Sequence, residues 1–159
     1  MFDFVNKEYI KNNEFKNTGL EEVVKEEKLY RLSQDKVRKI DLDIDKKNKL
    51  KKNISKIAAE KFGADFTTIE VKCNISETSM RKYLKGTRNI TRAALMRFCS
   101  GACIDIEEAN ELFILLGHAL DPENSRVDAI VVDNIKCKEG IEVLYEECEK
   151  YELLKLVFG

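Results

Sequence analysis

The run Asn74-Ile75-Ser76-Glu77-Thr78-Ser79-Met80-Arg81-Lys82-Tyr83-Leu84-Lys85-Gly86 carries the signals of a tight turn followed by a short capped helix. Asn74 belongs to a residue type that tolerates left-handed backbone. Ile75 is an apolar anchor for the turn. Ser76 stands where an N-cap belongs, because its hydroxyl can accept a backbone N–H two or three residues on. Met80, Tyr83 and Leu84 then follow the i, i+3, i+4 spacing of one buried helical face. Glu77, Thr78, Arg81, Lys82 and Lys85 fall on the outer face or its edges. Gly86 supplies a stop. A short helix is predicted just upstream over 68–73, so 67–86 reads as a helix-turn-helix unit.

The flanks support a helical cluster around that unit. Leu50, Ile54, Ile57, Ala58 and Phe62 predict an amphipathic helix over 49–62, stopped by Gly63. Downstream, helices are predicted over 92–100 and 106–116, with joints at 86–91 and 101–105. Thr91 and Asp105 are natural N-caps, and Glu108 can complete a capping box with Asp105. Joints this short force consecutive helices into a compact cluster. Asp121-Pro122-Glu123 predicts a helix opening with proline in its first turn. That helix runs through Ile135 and breaks at Gly140. A further stripe over 141–156 includes Leu144, Tyr145, Cys148 and Tyr151, and the apolar tail 153–158 is expected to pack. Toward the N-terminus, a loose arm is expected over 1–19, with a short helix near 6–10. Leu20, Val23, Val24, Leu29 and Leu32 predict a helix over 20–32. Residues 37–44 alternate as a strand or an extended linker would. The fold class is therefore all-α: an N-terminal extension at 1–48, a helix-turn-helix domain at 49–120 and a C-terminal helical extension at 121–159.

A net charge of −1 hides a segregated distribution. Within 71–100 there are seven basic residues (Lys72, Arg81, Lys82, Lys85, Arg88, Arg92 and Arg97) against one acidic, Glu77. Residues 101–159 carry five basic and 14 acidic side chains. Local field matters more than global charge for steering a polyanion, and the basic strip coincides with the helix-turn-helix.

Other classes of function find little support. The first twelve residues are charged, so no signal peptide is expected. No apolar run is long enough to span a membrane. Cys73, Cys99, Cys103, Cys137 and Cys148 include no CxxC pair, and the single histidine is His118. Reduced thiols, a cytoplasmic location and no metal or cofactor are expected. His118 reads as a helix-terminal residue favourable to the dipole. Glu107–Glu108 and Glu146–Glu147 read as helix surface. No phosphate loop or nucleophile elbow is present, so the chain is not expected to be an enzyme.

With Ile75, Ser76, Met80, Tyr83, Leu84 and Gly86 in these places, the central segment resembles the lambda-repressor-like (XRE-type) helix-turn-helix family. The stretch 104–120 resembles the last helix of repressor-like proteins from Gram-positive bacteria, in which a further helical pair follows. The likeness covers 49–120 well and 121–152 loosely. It implies that the second helix of the unit enters the major groove. Arg81 and Lys82 would face the groove, and Thr78 a base edge or thymine methyl. Ser79 would lie near phosphate or sugar, and Glu77 would accept from cytosine N4 or stay in solvent. Lys85, Arg88, Asn89 and Arg92 would touch the DNA backbone. Asn74 replaces the usual turn glycine, and Thr67 or Thr68 the usual glutamine. Glu70 falls where a small residue usually lets the two helices cross, which implies a different crossing or a register one residue away.

The expected function is sequence-specific binding of double-stranded DNA in transcriptional regulation, with a homodimer formed by the helices after Asn110. Val127, Ile130, Val131, Ile135, Leu144, Leu154, Leu156 and Phe158 would form its interface, or else complete an internal core with the helix over 20–32. The alternative is a protein-interaction module that keeps the scaffold without reading DNA.

Overall fold

Nine α-helices and no strand occur among the residues that the computed structural model describes, 1–16 and 40–158. They are α1 (Lys7–Asn12), α2 (Ile40–Phe62), α3 (Phe66–Cys73), α4 (Glu77–Lys85), α5 (Arg92–Ala102), α6 (Ile106–Leu116), α7 (Arg126–Lys136), α8 (Ile141–Lys150) and α9 (Leu154–Phe158). The all-α expectation agrees with this architecture. The helix expected over 20–32 lies outside the described residues.

The helix-turn-helix forms through the residues that announce it. Asp65 caps α3 by accepting the Thr67 N–H at 3.0 Å. Asn74 ends α3 in left-handed backbone (φ 52°, ψ 45°) and donates its N–H to the Glu70 carbonyl. Ser76 caps α4 by accepting the Ser79 N–H at 3.2 Å. Gly86 closes α4 at φ 79°, a conformation that an L side chain strains to adopt. Ile69, Cys73, Ile75 and Met80 are fully buried beneath this unit.

The core centres on α5. Ala94, Leu95, Met96 and every residue from Phe98 to Ala102 are buried, so this helix is covered on nearly all sides. It packs against α2, α3, α6, α7, α8 and α9, whereas α4 packs chiefly on α2 and α3. The close crossing between α3 and α5 is made by Gly101. A Cβ there would lie 2.4 Å from the Lys72 carbonyl oxygen and 2.6 Å from Cys73 Sγ. Glu70 is exposed, so the carboxylate does not enter the crossing between α3 and α4. Gly101 was expected in a joint but lies within the last turn of α5, which ends instead at Cys103 (φ 53°).

Four other expectations are corrected. Residues 40–44 belong to α2 rather than to a strand or linker, since Ile40, Leu42 and Ile44 alternate over too short a span to distinguish the two periods. The Asp121-Pro122-Glu123 opening is a turn, held by the Asn124 side-chain amide donating to the Asp121 carboxylate. The helix starts at Arg126, capped by Ser125. The stripe over 141–156 is two helices, because Glu152 takes left-handed backbone (φ 59°) and redirects the chain into α9. Asp105 holds the N-cap position of α6, but its side chain accepts no backbone N–H, and its carboxylate lies 3.4 Å from Lys138 Nζ.

The N-terminal segment is docked rather than loose. Val5 and Ile10 are buried, and Lys136 Nζ donates to the carbonyls of Phe2 and Val5 at 2.7 and 2.9 Å. Tyr9 donates its hydroxyl to the Pro122 carbonyl at 2.9 Å. The apolar residues proposed for a dimer face are mostly internal. Val127, Ile130, Val131, Ile135, Leu144 and Leu156 are buried, Leu154 is half-buried and Phe158 is exposed. They join one buried cluster that runs from Val5 to Val157.

Candidate nucleic-acid interface

Because α4 rests on α2 and α3 through Met80, with Tyr83 and Leu84 half-buried beside it, its remaining face looks outward. Glu77, Thr78, Arg81 and Lys85 are exposed, and Ser79 and Lys82 are half-buried. The loop that follows brings Arg88 back along the helix, its Nη1 3.5 Å from Ser79 Oγ, with Asn89 exposed beside it. Eight of the expected contact residues thus share α4 and its closing loop.

Arg81 is the most constrained of them. Its Nη2 and Nε donate to Glu77 Oε1 at 2.7 and 3.1 Å, and its guanidinium carbon lies 4.3 Å from the centroid of the Phe66 ring. Both charges remain about half exposed. At the far end, Lys51 of α2 flanks Gly86, its Cδ and Nζ 3.4 and 3.6 Å from where a Cβ would stand. Lys51, Lys82 and Lys85 put positive charge at the carbonyl end of α4, where it opposes the helix dipole. Neither Phe66 nor Lys51 stood out in the sequence. Both lie on other helices, and only packing brings them to α4.

Arg92 is not brought to this face. Its Nη2 lies 2.9 Å from Asp128 Oδ2, and its Nη1 donates to the His118 carbonyl at 2.7 Å. The guanidinium also sits over the Phe113 ring, 5.0 Å from its centroid. It joins α5 to the end of α6 and to α7. Arg97 is likewise turned inward and donates from Nη1 to the Val157 and Phe158 carbonyls at 2.8 and 2.9 Å. Two of the seven cations in the basic strip therefore serve the scaffold.

The other reactive groups are structural in character. Burial pushes the Cys73 and Cys148 thiols up to about 12 and raises Cys99 likewise, which keeps them protonated and unreactive. Asp133, Cys137 and Glu139 gather three metal-ligating side chains. Lys7 already supplies a cation there, with Nζ 2.6 Å from Asp133 Oδ2 and 2.8 Å from Glu139 Oε1. Burial lowers the Lys7 pKa, but these two carboxylates more than offset it, and the ammonium is held above its usual range. Among the described residues, no helix is long and apolar enough to cross a membrane. No protein-family model, no curated protein and no solved structure matches this chain.

Proposed function

We propose that this protein binds double-stranded DNA sequence-specifically, with α4 in the major groove, and acts in transcriptional regulation in the cytoplasm. One observation carries the reading: a capped helix stands on a left-handed turn, buries Met80 and leaves Thr78, Arg81 and Lys85 exposed along one side. A helix presented this way suits the major groove, whose base edges offer donors and acceptors to such side chains. Lys82 would face the groove beside Arg81, while Lys85, Arg88 and Lys51 would meet phosphates, which position a protein but do not read sequence. Neither a cofactor nor catalysis belongs to this reading. A homodimer does, on one ground: a single short reading helix touches few base pairs, and two half-sites are the usual remedy.

Fluorescence anisotropy of the full chain against mixed genomic duplexes, as a function of salt, tests the proposal. Affinity that falls steeply with salt is expected, since each neutralised phosphate releases counterions. No binding to any duplex at low salt would overturn it. The reading as a protein-interaction module would then lead. One observation favours that alternative: α3 leaves the apolar Val71 73 % exposed beside Glu70.

A further inference from the structure

We infer that Glu77 and Phe66 hold Arg81 as a preset reader of one guanine, and that Glu77 is a positioning residue which trades non-specific DNA affinity for base selectivity. The inference rests on the DNA-binding reading and goes beyond it by assigning a base and two residues that set its recognition.

The geometry of the guanidinium carries the inference. Glu77 Oε1 takes hydrogen bonds from both Nε and Nη2, so it occupies one edge of the planar group. The Phe66 ring covers a face. Among the described residues no acceptor engages Nη1, which leaves the Nη1–Nη2 end open. That end presents two parallel N–H donors, the pattern that matches guanine O6 and N7. The side chains of Glu77 and Arg81 stand one helical turn apart on the exposed face, at 54 % and 51 % exposure, so about half of each is open to a ligand.

Two physical consequences follow. An arginine already held by an edge and a face loses less rotamer freedom on binding, so more of its interaction appears as discrimination. The Glu77 carboxylate also repels phosphate, which discourages Arg81 from swinging to the DNA backbone. Removing that carboxylate should therefore move two quantities in opposite directions. Non-specific affinity should rise as negative charge leaves the surface, and guanine preference should fall as Arg81 loses its brace. A role for Glu77 in folding alone would leave the guanine preference unchanged, so that quantity is the discriminating one.

The test is selection from a pool of randomised duplex DNA, using the full chain as wild type, Glu77→Gln, Phe66→Leu, Arg81→Ala and Arg81→Lys. Thermal unfolding of each variant serves as the control. Wild type is expected to enrich sites with guanine at one fixed position. Arg81→Ala and Arg81→Lys should each reduce that preference by about tenfold at that position alone, the lysine variant keeping the wild-type salt dependence. Glu77→Gln should lower the same preference several-fold while tightening binding to scrambled DNA. Phe66→Leu should lower it without that tightening. Unaltered guanine preference in Glu77→Gln would overturn the inference, and so would a preference lost at a different base pair, which would make Glu77 a direct reader. Salt-dependent binding with no enriched base would overturn it while leaving DNA binding intact. Absence of all duplex binding would overturn both.

Discussion

Arg81 on α4 and Arg92 on α5 belong to one basic strip of sequence, and each is paired with a carboxylate, yet they sit in opposite environments. Arg81 and Glu77 are about half exposed, whereas the Arg92 side chain is 15 % exposed and its partner Asp128 only 4 %. An exposed pair gains little over hydration and leaves its groups available to a ligand. A buried pair is committed, because removing either member leaves the other charge in a medium that solvates it poorly. Neither residue type nor distance along the chain separates the two roles. Depth in the fold does, and depth follows from how the helices surround the side chain: among the described residues α4 rests chiefly on α2 and α3, while α5 is enclosed by most of the other helices.

The interior side of this contrast should give the largest effects. Met80→Asp places a carboxylate where the native side chain is 0 % exposed, at the contact between α4 and the core. It should cost on the order of 5 kcal/mol and unfold or severely loosen the protein. Thermal unfolding that matches wild type would mean that Met80 faces solvent and that the assigned face of α4 is wrong.

Arg92→Ala should come next, at roughly 3–5 kcal/mol of stability, because it strands Asp128 inside the protein. Arg92→Lys should recover little of this, since a single ammonium cannot reach both the Asp128 carboxylate and the His118 carbonyl as the planar fork does. Urea unfolding measures both. Near-wild-type stability of Arg92→Ala, with weaker binding to all DNA sequences, would instead return Arg92 to the surface and erase the contrast with Arg81.

The outer side should separate binding from folding. Arg81→Ala should change stability by less than about 1 kcal/mol, as expected for an exposed helical pair. On the preferred DNA site it should cost about 1–3 kcal/mol. Calorimetric unfolding and anisotropy on preferred and scrambled duplexes give the two numbers. Untouched affinity on both duplexes would remove α4 from DNA recognition. Arg88→Ala should have the mildest effect, weakening all sequences about equally and reducing the salt slope by roughly one unit. A base-specific loss would place Arg88 in the groove rather than beside it.

The local features of the helix-turn-helix were legible because they are set by neighbours in sequence. The Ser76 and Thr91 caps accept N–H groups three residues on, and the bounds of α6 agree with those expected. Features that depend on distant partners were not legible. Gly101 reads as a helix breaker, but its missing side chain lets the backbone of α3 approach α5. Residues 40–44 mimic a strand because a few alternating apolar positions fit either period. The C-terminal apolar residues read as spare surface for a second copy, but most of them are covered where α7, α8 and α9 pack on α1 and α5, and Phe158 alone stays exposed.

The sequence by itself determined the all-helical class, the turn at Asn74, the Ser76 and Thr91 caps and the inward face of α4, since these follow from backbone preference and the 3.6-residue period. Only the tertiary structure decided which cations remain on the surface. It turned Arg92 and Arg97 inward, set Lys51 beside Gly86 and placed Phe66 under Arg81. Each of these depends on which helices meet, and a charged side chain becomes scaffold or surface according to the partners and the solvent left around it after they have met.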